Sequence, residues 1–93
     1  PPTKYASKVA VRDSLISSGC YIQGQVSSSI LFRGVNVHPG ATIKNCIIMQ
    51  RCDIGKDAVL ENVILDKHVK ISNKVVLKGM DDSPMVITKR AVI

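Results

Sequence analysis

Along this chain, large aliphatic residues repeatedly follow small ones at a distance of two. In order the pairs read Ser14/Ile16, Cys20/Ile22, Gly24/Val26, Ser29/Leu31, Val35/Val37, Ala41/Ile43, Cys46/Ile48, Cys52/Ile54, Ala58/Leu60, Val63/Leu65, Val69/Ile71 and Val75/Leu77. Residues i and i+2 point to one face of a strand, so each pair predicts a short strand with its apolar face inward. The last eight steps between pairs run 6, 6, 5, which places Val26, Ile43, Leu60 and Leu77 seventeen residues apart. A fixed period of this size predicts stacked units, none of which can bury its apolar face alone. Three short strands per turn close a triangular coil, with small residues where the walls crowd. This is the hexapeptide pattern of a parallel β-helix. No long window shows the i, i+3, i+4, i+7 spacing of an amphipathic helix.

About four coils are predicted between Ser14 and Gly79, a prism roughly 20 Å tall. One coil is two residues short, between Ile22 and Gly24. Corners are predicted at Pro39-Gly40, Asn45, Ile54-Gly55 and Asn62, since Gly and Asn accept left-handed backbone angles at little cost. After Gly79 the rhythm stops. Residues 80–84 read as a loop, and 85–93 as a C-terminal strand that caps the prism or runs back along it. The expected organisation is a lead-in segment from a preceding N-terminal domain (1–13), a β-helix (14–79), and a loop with a capping strand (80–93).

The residue between the two members of each pair points outward. Two outward columns are mixed or polar: Tyr21, Asn36, Asp53 and Lys70 on one face, Gln25, Thr42, Val59 and Val76 on another. The third reads Leu15, Ile30, Ile47 and Ile64, with Phe32 and Met49 beside it. A contiguous aliphatic stripe aimed away from the core marks a contact surface, whereas simple β-propensity on an exposed strand is the plainer alternative. The expected partner is another domain of the same polypeptide or another subunit.

Composition adds three points. Ninety-three residues suffice for one domain. The three cysteines all fall on inward positions, and Cys20 and Cys52 are two coils apart, too far for a disulfide. Buried free thiols fit a reducing compartment, hence a cytoplasmic location, and without a CxxC spacing they predict no metal site. No apolar run approaches membrane-spanning length, so no membrane partner is expected. The net charge of +6 is spread along a chain with only 3% aromatic residues, so no nucleic-acid partner is expected. Two readings of the charge remain: a solvated basic surface, or a localised anion site. For the second, Arg33 and Lys67 share one seventeen-residue column and Arg51 and His68 the next, while Lys89 and Arg90 form a basic pair in the tail. His38, in Val37-His38-Pro39-Gly40, reads as a turn residue or as the catalytic histidine of a hexapeptide acyltransferase. Two histidines fall short of a three-histidine zinc site.

Several of these motifs together resemble a known family. They are Pro1-Pro2-Thr3-Lys4-Tyr5, Ser14-Leu15-Ile16, Gly19-Cys20, Ser29-Ile30-Leu31-Phe32, Val35-Asn36-Val37 and Asn45-Cys46-Ile47-Ile48-Met49. In this order they resemble the C-terminal domain of bacterial ADP-glucose pyrophosphorylase (glucose-1-phosphate adenylyltransferase). The likeness covers nearly the whole chain and is strongest to the glycogen-biosynthesis regulatory subunit that accompanies the catalytic subunit. It implies an all-β, single-stranded, left-handed parallel β-helix, the hand coming from the resemblance alone because parallel crossovers are ordinarily right-handed. It also implies an N-terminal nucleotidyltransferase domain, and a tetramer that makes ADP-glucose and pyrophosphate from ATP and glucose 1-phosphate with magnesium. The β-helix would then serve subunit assembly and allosteric control by phosphorylated metabolites. The family's nucleotide loop, magnesium-binding acids and sugar-phosphate lysine have no counterpart here, so no catalytic residue and no cofactor site carries over. Ile87-Thr88-Lys89 matches a basic effector-contacting position after a Val/Ile-Thr pair, with Lys in place of Arg. A lysine there is a point charge rather than a bidentate fork.

The resulting expectation is a noncatalytic assembly and regulatory domain, inactive by itself. Its expected interface is Leu15, Ile30, Phe32, Ile47, Met49 and Ile64, and its effector or anion residues are Lys89, Arg90, Arg33, Arg51 and Lys67. The alternative is part of a hexapeptide-repeat acyltransferase.

Overall fold

A computed structural model describes residues 1–93. Fifteen short strands follow one another in the chain: β1 (Lys4–Tyr5), β2 (Val11–Arg12), β3 (Leu15–Ile16), β4 (Tyr21–Ile22), β5 (Gln25–Ser27), β6 (Ile30–Leu31), β7 (Asn36–Val37), β8 (Thr42–Lys44), β9 (Ile47–Ile48), β10 (Asp53–Ile54), β11 (Val59–Glu61), β12 (Val63–Leu65), β13 (Lys70–Ile71), β14 (Val76–Lys78) and β15 (Met85–Ile87). Every third strand pairs in parallel, giving three five-stranded sheets. The first sheet runs β1-β4-β7-β10-β13, the second β2-β5-β8-β11-β14 and the third β3-β6-β9-β12-β15. The chain is a parallel β-helix measuring 31 × 22 × 22 Å.

The large member of each of the twelve predicted pairs lies on one of these strands, and the register is the predicted one. Gln25 lies beside Thr42, Thr42 beside Val59 and Val59 beside Val76. The short coil is real: Tyr21 meets Asn36 and Val11 meets Val26, each at fifteen residues rather than seventeen. It closes at Ile22-Gln23-Gly24, where a side chain on Gly24 would strike the Ala41 carbonyl oxygen of the next coil.

The coil extends beyond 14–79 at both ends. Lys4–Tyr5 pairs with Tyr21–Ile22 and Val11–Arg12 with Val26–Ser27, so residues within 1–13 build the lower rim. These rungs escape the small/large pattern because the lowest coil has core on one side only; Tyr5, on the inward column of Ile22, is 52% exposed. At the other end Met85–Ile87 continues the third sheet beside Val63–Leu65. The step there is twenty-two residues, because a five-residue insertion widens the corner after β14. The chain then crosses to the first sheet, where Val92 bridges Lys70.

Inside, eighteen buried residues form one column. Burying each large aliphatic stabilises the fold by about 1.5–3 kcal/mol before chain entropy is subtracted. The small inward residues do more than save space. Ser29 Oγ donates to the Ser27 carbonyl (2.8 Å) and accepts the Cys46 N–H (3.0 Å), which ties one coil to the next. Ser14 does the same one coil lower, donating to the Arg12 carbonyl and accepting the Ser29 N–H.

The corners carry the ladder between faces. Asn45 and Asn62 take φ of 54°, as predicted, and so do residues no composition rule flags, among them Ser28 (50°), Asp57 (58°) and Lys74 (64°). In this conformation the N–H points down the prism: Asn45 donates to the Ser27 carbonyl, Asn62 to Lys44 and Asp57 to Pro39. Gly55 departs from expectation, since its backbone is not left-handed. It is needed for space, because a Cβ would lie 2.7 Å from the Asn73 nitrogen.

Leu60 sits fully buried at mid-stack. Leu60→Ala is expected to cost about 2–5 kcal/mol in urea unfolding, whereas Val76→Ala on the outward column should stay within about 0.5 kcal/mol.

Candidate functional site

With the interior filled by aliphatic side chains, any recognition chemistry falls to the outward columns and corners. On the third sheet, Leu15 stands beside Ile30, Ile30 beside Ile47 and Ile47 beside Ile64. The structure adds Val86 beside Ile64, a fifth member that the sequence pattern missed because of the insertion. Leu15 is 70% and Val86 61% exposed at the two ends, and Ile30 is 39% exposed. Ile47 and Ile64 are half-buried between them. Phe32 (40% exposed) and Met49 lie two residues along their coils.

The next two columns form the edge between the third and first sheets. There Arg51 N–H donates to the Arg33 carbonyl, His68 to Gln50 and Arg90 to Lys67, at 2.9–3.1 Å. These bonds stack the coils and bring all five expected basic residues, Arg33, Arg51, Lys67, Lys89 and Arg90, onto one edge. The sequence had placed Lys89 and Arg90 apart from the others. The twenty-two-residue last step hid the alignment of Lys89 with Lys67 and of Arg90 with His68. All six cationic or titratable groups of this edge, His68 included, are exposed.

The molecule's two contacts between a basic and an acidic side chain, His38–Asp53 at 2.9 Å and Lys78–Glu61 at 4.0 Å, lie away from this edge; its cations, like most of the chain's thirteen, have no carboxylate partner. Asp66 is the one acid here, and its carboxylate accepts the Lys67 backbone N–H (2.7 Å). Further, Gly19 and Gly34 hold the left-handed corner in the lower coils, whereas Arg51 (59°), His68 (59°) and Arg90 (63°) hold it higher up. A side chain in this region costs on the order of 1 kcal/mol relative to glycine, a cost met here as it is at Asp57 and Lys74 on another corner. An open groove of about 650 Å³ runs along the edge, floored by Phe32 and Met49 and bordered by Arg33, Gln50, Lys67 and Ser17.

His38 does both of the things a turn residue can do. Its carbonyl accepts the Ala41 N–H across Pro39-Gly40 (3.2 Å), with Gly40 at φ 80°. Its ring Nε2 meets Asp53 Oδ1 on the next coil at 2.9 Å, a link the sequence did not reveal. The pair borders an open groove of about 420 Å³ with Lys56, Lys70 and Ser72. A histidine-carboxylate pair can move a proton, but no cysteine or threonine lines this groove. No three His, Cys, Asp or Glu side chains converge as a metal set, and no helix is long and apolar enough to cross a membrane.

The geometry defines a hexapeptide-type parallel β-helix whose outer surface carries one aliphatic face bordered by one basic edge. Residues 1–88 match the family model described as GlmU-like, C-terminal hexapeptide, and the chain belongs to that family. Among curated proteins it is 47% identical over 92 residues to the glycogen biosynthesis protein GlgD of Bacillus subtilis (strain 168), covering 99% of this chain and 27% of that protein. It is 35% identical over 89 residues to the glucose-1-phosphate adenylyltransferases of Bacillus thuringiensis (strain Al Hakam) and Bacillus cereus (strain Q1), covering 92% of this chain and 24% of each. The chain thus spans about a quarter of the length of these relatives.

The cysteines are free and buried, as expected from their inward positions. Burial pushes the Cys46 and Cys52 thiols up from the ordinary value of 9.0, against backbone hydrogen bonds that pull them down. A raised folded pKa means stability is complete below the ordinary thiol value. It is lost as pH rises through the folded value, because the unfolded thiols ionise first. Iodoacetamide is therefore expected to spare both thiols in the native protein near neutral pH and to modify them in denaturant. The alkaline loss of stability should shrink in Cys52→Ala.

Proposed function

We propose that this chain is a noncatalytic assembly and regulatory domain of a glucose-1-phosphate adenylyltransferase-type subunit in glycogen biosynthesis. The observation that carries this reading is the aliphatic stripe. An unbroken column from Leu15 to Val86 on a flat sheet, outside a core that is already complete, is a surface built for contact with protein. Its partners are a nucleotidyltransferase domain in the same polypeptide and the catalytic subunit of the same enzyme, assembled in the cytoplasm as a tetramer. Magnesium and the chemistry of ADP-glucose formation belong to those partners. The likeness to GlgD and to adenylyltransferases over the full length of this chain supports the assignment. The acyltransferase alternative rests on His38 alone, whose ring is engaged by Asp53.

The regulatory half of the proposal rests on the basic edge. Arg33, Arg51, Lys67, Lys89 and Arg90 offer an unneutralised cationic border to the phosphate groups of an effector. Arginine at positions 33, 51 and 90 supplies bidentate forks, and lysine at 67 and 89 supplies point charges.

The 93-residue chain with ATP, glucose 1-phosphate and magnesium should show no turnover; measurable ADP-glucose synthesis refutes the reading. In the complete subunit, Ile47→Asp should lower the assembled mass in light scattering while leaving the circular dichroism of the β-helix intact. At the edge, Arg51→Gly should leave the melting temperature unchanged or raise it, since relief of about 1 kcal/mol of left-handed strain offsets the extra chain entropy of glycine. The same change should weaken binding of inorganic phosphate measured by calorimetry.

A further inference from the structure

The aliphatic stripe and the basic edge are neighbours on every coil above that of Leu15. From the stripe residue the chain takes two steps to Phe32, Met49 or Asp66 and one more to Arg33, Gln50 or Lys67. Cations follow at Arg51, His68 and Arg90 on the corner itself. The opposite border of the same sheet carries mixed charge. It presents Ser28, Asn45 and Asn62, with an amide hydrogen bond between the two asparagines, and Lys44, Glu61 and Asp81 beside them. The apolar face is therefore cationic on one flank and of mixed sign on the other.

We propose that the third sheet and its basic edge form a single docking surface for a polypeptide partner whose contact patch is apolar in the middle and lined with carboxylates along one side. Resting on the assembly reading above, the inference adds the chemistry and orientation of what docks. Charge complementarity argues for an acidic partner: the edge cations have no carboxylate partners, and the chain as a whole carries +6. Area argues for a protein. The extents of 31 × 22 Å bound one side at about 680 Å², so the two partners together bury at most about 1,400 Å², the lower part of the range of specific protein pairs. A nucleic acid would leave the aliphatic stripe uncovered, and beside the stripe one exposed ring, Phe32, offers little for bases to stack on. Desolvated by a partner, the stripe supplies affinity, and the edge supplies register and association rate. The same cations cannot hold partner carboxylates and free phosphate at once, so anion binding and docking oppose each other by linkage.

The test is carbodiimide cross-linking of the complex with the adenylyltransferase subunit, followed by peptide mapping. Lys67 and Lys89 should form amide links to partner aspartates or glutamates, and Lys56 and Lys74, at the corner between the first and second sheets, should not. Arg51→Glu with Lys67→Glu should weaken the complex about tenfold, and rising salt should weaken the wild-type complex in the same direction. Lys56→Glu should leave it unchanged. Inorganic phosphate should weaken the wild type more than the charge-reversed variant. If Ile47→Asp disrupts assembly while the edge lysines form no links and charge reversal has no effect, the acidic-partner inference is overturned and the assembly reading survives. If no complex forms at all, both fall. Tight binding of the isolated chain to single-stranded DNA, lost on charge reversal, would assign the edge to nucleic acid instead.

Discussion

The parallel backbone ladder is the constraint from which everything else follows. Each short strand is bonded to the one a full coil below, and the left-handed corner residues extend those bonds around the bends through N–H groups directed along the prism. Because the ladder is unbroken, a residue's position within the repeat dictates its column, and columns are straight. Sequence spacing becomes spatial alignment. An isoleucine every seventeen residues makes an apolar stripe, and a basic residue at the equivalent corner of successive coils makes a cationic edge. Where the spacing changes, to fifteen at Gly24 or twenty-two at the 80–84 loop, the register on the sheets survives because corners absorb the difference.

The fold was legible because one inward face is written in aliphatics with period two inside period seventeen, and only a stacked coil satisfies both. The rungs at the ends were less legible. Lys4–Tyr5 and Val11–Arg12 cover core on one side, so burial does not demand the small/large pair there. Met85–Ile87 was read as a strand, but its place beside Val63–Leu65 was hidden by the inserted loop. The corner conformations were half legible. Asn45 and Asn62 announce themselves, whereas Arg51, His68, Lys74 and Arg90 adopt the same backbone for a tertiary reason, the need to continue the ladder. Side-chain links across coils, such as Ser29 to Cys46 or His38 to Asp53, depend on rotamers that spacing does not specify.

The basic edge shows how much of the candidate site the pattern could reach. Arg33 with Lys67 and Arg51 with His68 were visible as columns, because both pairs lie in the regular part of the chain. Their union with Lys89 and Arg90 required the true path after Gly79. The exposure of these groups and the absence of carboxylate partners are properties of three-dimensional arrangement, and no count of charges along the chain distinguishes them from a scattered basic surface.

A dry aliphatic column also limits what this architecture can do. A prism filled to its walls leaves recognition to the open grooves, corners and flat faces of its outer surface. Such surfaces suit recognition by repetition, in which many equivalent contacts along a line add up. The left-handed corners sharpen this point. Glycine satisfies them at Gly19 and Gly34, yet arginine or histidine occupies the equivalent positions 51, 68 and 90. The other corners accept the same cost at Ser28, Asn45, Asn62, Asp57 and Lys74, so the conformation belongs to the ladder. What is particular to this corner is the set of side chains it presents, Arg51, His68 and Arg90, on the border of the aliphatic face, where the prism meets something outside itself.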